Sequence, residues 1–254
     1  MNIHNYLNNH SGNTVVYCVG DKNIIPMMQN MITSHNQSTN ETIVLFALDK
    51  EMADACREMC PVIDYYPASK ISNMYFQKLL IAHEILKRNK IAIFIDADCI
   101  IQNSFKLDMM EQYCATDADC HVQTVSHKKW LGNGIEHNLV INCGTGIMSV
   151  RPTYRTKNLF SEEYLLLTDY DNYIDDQHYF NLHIRPNDIL KINYLNKESY
   201  PNGWHYHANP EYADTFKIFH VSGIYGYQDM DSTKEYTGIP AKTENMKHLN
   251  YWYI

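Results

Sequence analysis

Short, almost wholly apolar runs alternate with amphipathic stretches through the first hundred residues, and this rhythm admits few architectures. Thr14 to Val19 (TVVYCV), Thr42 to Ala47 (TIVLFA), Val62 to Tyr65 and Ile91 to Ile95 (IAIFI) read as strands. Ile24 to Ser34, Lys50 to Cys60 and Asn73 to Arg88 read as helices between them, the last carrying Leu79, Leu80, Ala82, Ile85 and Leu86. Strands that lack polar alternation are buried on both faces, so helices must cover both sides of a mainly parallel sheet. The expected fold class is therefore α/β, with ligands gathering beyond the carboxyl ends of the strands.

No Pro/Gly/Ser-rich linker or composition break divides the 254 residues, which predicts one domain over 14–254 after a flexible, asparagine-rich tail over 1–13. The second half is less regular. It mixes strand-like HVQTV and LVINC, a helical SEEYLLLTDY, and loops rich in Tyr, Asn, His and Trp, the kind that carry binding surfaces. With 29 acids against 21 bases the net charge is −8, which excludes a whole-chain footprint for nucleic acid or an anionic membrane. The N-terminus lacks the pattern of a secretory signal and no run approaches 18 apolar residues, so a cytoplasmic protein without a membrane span is expected. Seven cysteines, odd in number and mostly in apolar contexts, read as reduced core thiols; Cys56 and Cys60 lack the second pair a zinc site needs.

Four blocks carry chemistry. Asp96-Ala97-Asp98 follows IAIFI directly, so two carboxylates arrive where a buried strand leaves the sheet. Bare charge beside an apolar core costs several kcal/mol, and a hard divalent cation neutralises it most directly; the alternative is a solvated turn. Asn142-Cys143-Gly144-Thr145-Gly146 interrupts an apolar strand with two glycines, which marks either a close approach of backbone to a ligand or a tight structural turn. Asp175-Asp176-Gln177 precedes a helix and either caps it or presents a carboxylate and an amide to a reacting sugar. His220, in the apolar run Lys217 to Gly223, is either a satisfied core residue or an imidazole ligand, and with Asp96 and Asp98 such a mixed set favours manganese over magnesium.

An apolar strand with Asp-Ala-Asp, then Asn-x-Gly-x-Gly, Asp-Asp-Gln-x-x-x-Asn, Tyr-Pro-Asn-Gly-Trp and Phe-His-Val-Ser-Gly, in that order, resembles the nucleotide-diphospho-sugar glycosyltransferases of the A-type fold. More narrowly it is similar to their metal-dependent retaining branch. The resemblance spans about Thr14 to Gly223 and implies a single Rossmann-like domain, with a nucleotide-binding half over 14–100 and a sugar- and acceptor-binding half over 101–254. It implies Mn2+, with Mg2+ as the alternative, bound by Asp96, Asp98 and His220, and a nucleotide-diphosphate sugar, a UDP-sugar, as donor. Val19, Gly20 and Asp21 fall where the family holds base and ribose. Lys78, Ala97 and Gly223 fall near the donor, Asn142, Gly144 and Thr145 beside its sugar, Asp175, Asp176 and Gln177 beneath the anomeric carbon, and Asn202, Gly203 and Trp204 beside a glycan or other hydroxyl acceptor. One departure stands out: related enzymes often carry Lys-Pro-Trp or a nearby lysine after the histidine block, whereas here Ile224-Tyr225-Gly226-Tyr227 follows and the next lysine is Lys234.

The reaction implied is transfer of a hexosyl group to a hydroxyl, with the metal as acid catalyst at the departing diphosphate. Retention fits the resemblance; inversion would need Asp175 or Asp176 as base. Two other readings share the acidic blocks. A Mg2+-dependent phosphohydrolase of the haloacid-dehalogenase type also uses Asp-x-Asp after a strand, but normally on the first strand, and a nucleotide-sugar-binding module would need no intact metal set. The whole reading requires His220 to lie beside Asp98.

Overall fold

The computed structural model describes residues 2–66, 69–131, 135–203, 215–221 and 239–254. Its strands are β1 (Thr14–Gly20), β2 (Ile43–Ala47), β3 (Val62–Asp64), β4 (Ile91–Ile95), β5 (Cys99–Ile101), β6 (Cys120–Leu131), β7 (Ile135–Val150), β8 (Ile192–Tyr194) and β9 (Ile218–His220). The helices are α1 (Ile3–Asn9), α2 (Ile25–Ser38), α3 (Lys50–Cys56), α4 (Met74–Leu86), α5 (Lys106–Cys114), α6 (Tyr154–Leu159), α7 (Glu162–Leu167), α8 (Asp176–Tyr179) and α9 (Ile239–His248). A π-helical turn, Phe180–Ile184, continues α8.

Seven strands form the central sheet in the order β3-β2-β1-β4-β7-β6-β8. Every pairing is parallel except those of β7, which runs antiparallel to both β4 and β6. Because side chains alternate along a strand, β1 feeds two cores at once. Val15, Tyr17 and Val19 join one layer with α1, α4 and α6 to α8, whereas Val16 and Cys18 join the other with α2, α3 and α5. The mainly parallel α/β sheet expected from the apolar runs is what the chain forms.

The first thirteen residues differ from the loose tail expected of their composition. Ile3 and Leu7, one helical turn apart, are both buried in the first core, and the Asn2 side chain caps α1 at the Asn5 amide. Two apolar anchors at that spacing suffice to dock a helix whose other residues are polar. The helix expected to reach Cys60 stops at Cys56, ahead of Pro61, which lacks an amide hydrogen and disfavours helix in the residue before it. All seven cysteines are free, and five of them are buried.

Candidate active site

The strand order places β1 at a switch point: β2 and β3 lie to one side of it, β4 and the later strands to the other. In an open α/β sheet a crevice forms there, outside the carboxyl ends of the two strands. β1 delivers Val19, Gly20 and Asp21 to that edge, and β4 delivers Asp96. Asp21 caps the short turn Lys22–Ile24 by accepting from the Asn23 amide at 3.0 Å. A Cβ on Gly20 would come within 2.9 Å of the side-chain ends of Ile24 and Met28, so these flexible tips close over the glycine.

Beyond β4 the chain turns sharply and pairs with a distant segment. The Asp96 amide donates to Gly146 O at 2.8 Å, and β5 then runs antiparallel to β9 with Cys99 opposite His220. The apolar residues Ile100, Phe216, Phe219, Val221, Met246 and Tyr251 form a small separate core that fastens this two-stranded sheet to the C-terminal segment. As a result His220 Nε2 stands 3.2 Å from Asp98 Oδ1, both side chains buried. Across the ring, His220 Nδ1 lies 2.8 Å from Gln123 Oε1. The other Asp98 oxygen accepts from the ammonium of Lys242 on α9. Burial would raise the Asp98 pKa, but Lys242 and His220 outweigh it and hold the carboxyl well below its ordinary range.

Gly146 explains the glycine-interrupted strand. A Cβ on it would come within 2.2 Å of the His220 ring, so the close approach expected there is of backbone to this imidazole. The β6–β7 register breaks at the same place: Val122 pairs with Met148 but Gln123 pairs with Gly144, so Thr145 to Ile147 bulge out of the ladder. The bulge carries Thr145 toward a second cluster.

That cluster is built on Lys78, which α4 sinks into the protein. Its ammonium pairs with Asp176 Oδ2 at 2.7 Å, approaches Asp96 Oδ2 at 4.0 Å and donates to Thr145 O at 3.2 Å. Burial pushes the Asp176 carboxyl up to about 6, against the pull of Lys78 and a Thr145 hydrogen bond. Burial also disfavours the ammonium, but the charges of Asp176 and Asp96 prevail and raise the Lys78 pKa, so the pair is ionised at neutral pH. Asp175 takes the capping role, accepting from the His178 amide at 2.7 Å. Gln177 borders an open cleft of about 650 Å³ lined also by Asp175, His178, Asn181 and Arg185. Asn181 clasps the β7 backbone, donating to Cys143 O and accepting from the Cys143 amide, each at 2.8 Å.

The expected site residues thus divide. Asp98 and His220 meet, and Asp96, Lys78, Thr145 and Asp176 meet beside them; Ala97 is buried between the two aspartates. Among the described residues, Asp98, Cys99 and His220 each offer a ligand atom within 4.8 Å of the others, whereas the Asp96 carboxylate turns toward Lys78. Gly144 and Asn142 lie in β7, paired with Gln123 and Val125. Asn202 is buried, donates to Thr124 O at 3.1 Å and bridges to His220, with Gly203 buried next to it. Trp204 and Gly223 fall outside the described residues. Sequence reasoning missed Gln123, Cys99 and Lys242. Gln123 sat unremarked in a strand-like run and Cys99 counted as a core thiol. Lys242 lies eight residues beyond Lys234, on a helix no motif marks.

The profile of the nucleotide-diphospho-sugar transferase family matches residues 38–230, about three quarters of the chain. The chain belongs to that family. No curated protein matches the sequence of this transferase. Among solved structures it is similar to mouse xyloside xylosyltransferase 1, at 15% identity and TM-score 0.52 over 84% of this chain and 99% of that one. The galactosyltransferase LgtC, solved with donor and acceptor sugar analogues, is 14% identical at TM-score 0.54 over 92% and 96% of the two chains. The glycosyltransferase GlyE of Streptococcus pneumoniae is 18% identical at TM-score 0.51, and there the transferase covers 85% of itself but only 56% of the longer chain. At these identities the likeness establishes the A-type glycosyltransferase fold. Family and fold together displace the phosphohydrolase alternative, whose acidic motif belongs on a first strand and not on β4. Among the described residues no helix is long and apolar enough to cross a membrane.

Proposed function

We propose that this transferase moves a hexosyl group from a nucleoside-diphosphate sugar, with uridine as the base, to a hydroxyl acceptor in a Mn2+-dependent, retaining reaction. The observation that carries the metal is the meeting of Asp98 and His220. Oxygen and nitrogen atoms 3.2 Å apart have the separation of neighbouring ligands on one octahedral ion, since two bonds of about 2.1 Å at about right angles span about 3 Å. Such an oxygen and imidazole set suits manganese, with magnesium as the alternative. Asp98 and His220 would hold the ion, with Asp96, two residues from Asp98, as the further carboxylate that could join them. When bound, the cation supplies Lewis-acid stabilisation of the departing diphosphate.

The chain's own residues do the rest. Val19, Gly20 and Asp21, at the crevice between β1 and β4, receive base and ribose. Lys242 supplies, from α9, a cationic side chain in place of the Lys-Pro-Trp lysine that related enzymes often carry after the histidine block, close enough to Asp98 to meet the diphosphate. Lys78 keeps Asp176 ionised and fixed against Thr145, so that its carboxylate and the Gln177 amide face the sugar. There they stabilise positive charge as the anomeric carbon–oxygen bond breaks. The acceptor oxygen bonds to that carbon from the leaving-group face and gives its proton to the departing phosphate oxygen. The acceptor enters from the cleft bordered by Gln177 and Asn181.

Thermal unfolding followed while UDP, GDP and their sugars are titrated with and without Mn2+ tests this reading. UDP should raise the melting temperature only in the presence of the metal, because a ligand bound by the folded state alone stabilises it. Absence of any metal-linked nucleotide stabilisation would end the case, and equal stabilisation by GDP would displace uridine.

A further inference from the structure

Gln123 is buried, uncharged and outside every acidic block, yet it makes two directed contacts. Its Nε2 donates to Tyr200 O at 3.0 Å, and its Oε1 lies 2.8 Å from His220 Nδ1. The first contact orients the second: a flipped amide would set its oxygen against the Tyr200 carbonyl, with no proton between them. With Oε1 toward the ring, the bond forms only if Nδ1 carries the hydrogen. A hydrogen kept on Nδ1 makes Nε2, the nitrogen beside Asp98 Oδ1, the one that hydrogen-bonds that carboxylate when no cation is bound and that turns its lone pair to a cation taking that hydrogen's place. The ring cannot tilt away from this arrangement toward β7, because it already fills the place of the absent Gly146 side chain.

We propose that Gln123 is a positioning residue for the divalent cation: it fixes His220 in the Nδ1–H tautomer and so presents the Nε2 lone pair to the metal beside Asp98. This rests on the metal reading above. Partners of this kind, hydrogen-bonded to the far nitrogen of a ligating histidine, typically govern metal affinity by about 10–100-fold. The β-bulge gives the arrangement its cause. By skipping Thr145 to Ile147 at the Val122/Gln123 break, it sets Gln123 opposite Gly144 while Gly146 backs the ring.

The test is Mn2+ binding without donor, read from the electron paramagnetic resonance signal of the free ion, for wild type and Gln123→Met. Methionine keeps the volume and removes the acceptor. The variant should bind Mn2+ about 10–100-fold more weakly. Nitrogen-15 spectra of the metal-free proteins at pH 8 should show a protonated Nδ1 on His220 in wild type and a mixture of tautomers in the variant, a difference that general loosening of the fold would not produce. Wild type that binds no Mn2+ would overturn the metal reading and the role with it. Wild-type binding that survives Gln123→Met unchanged would overturn the role alone. Should Gln123→Met fail to fold, the wild-type spectrum decides, because a dominant Nε2–H tautomer contradicts the proposal.

Discussion

Asp98 and Asp176 are equally buried, yet their carboxyls are pushed in opposite directions. Asp98 meets Lys242 and His220 and is held well below the ordinary carboxylate range; Asp176 shares Lys78 with Asp96 and is raised to about 6. Burial opposes charge in both places, so the ratio of cationic partners to carboxylates decides the outcome. The difference divides the labour of the site. The Asp98 cluster, paired with Lys242 and His220, is the one on which the proposed cation site rests, while the Lys78 cluster is a brace that ties α4, β7, α8 and the end of β4 together.

Removing the brace should have the largest effect. Lys78→Met leaves Asp176 buried without its ammonium, and loss of one partner of a buried pair costs about 3–5 kcal/mol. Urea denaturation of the variant should show a loss of that size, and adding Asp176→Asn should restore part of it, because the stranded carboxylate is then gone. If the double variant were no more stable than Lys78→Met, the two residues would not form the brace described.

Asp98→Asn attacks the exchangeable cluster. The fold should persist, while Mn2+-linked stabilisation by UDP, about 2.7 kcal/mol for a ligand at a hundred times its dissociation constant, should vanish together with transfer activity. A variant stabilised as strongly as wild type would place the metal elsewhere.

The smallest effect sharpens the contrast in pH. The folded-state value of Asp176, about 6, lies above the ordinary 3.8, so the folded protein holds this proton longer than the unfolded chain does. Its contribution is full below about 3.8 and is lost as the pH rises through about 6, with a slope of at most about 1.4 kcal/mol per pH unit. Denaturant unfolding from pH 4 to 7 should therefore show wild type losing stability relative to Asp176→Asn across that window, then running parallel to it. Wild type gaining stability relative to Asp176→Asn as the pH rises would mean that the Asp176 carboxyl is depressed, like that of Asp98.

Much of the frame was legible because it rests on local rules. TVVYCV, TIVLFA and IAIFI became β1, β2 and β4 since runs apolar on both faces fit only a covered sheet. Asp175 could be read as a cap from its place before a helix, and the glycines of β7 as a point of close approach. What approached Gly146 was not legible, because His220 is 74 residues away and reaches it only through the pairing of β5 with β9. The asparagine-rich composition of the first residues hid Ile3 and Leu7, whose burial depends on a core the tail itself does not contain.

By itself, then, the order of residues determined the alternation of strands and helices and the strand end at which two carboxylates emerge, since both follow from period and polarity; His220 as a metal ligand rested only on the family resemblance. Tertiary structure alone decided the partners: that Lys78 braces Asp176, that Lys242 reaches Asp98, and that Gln123 orients His220. An ion pair or hydrogen bond needs its partners within about 3–4 Å, so which cation answers which carboxylate is fixed by the folded path of the chain and by no feature of either residue's neighbours in sequence.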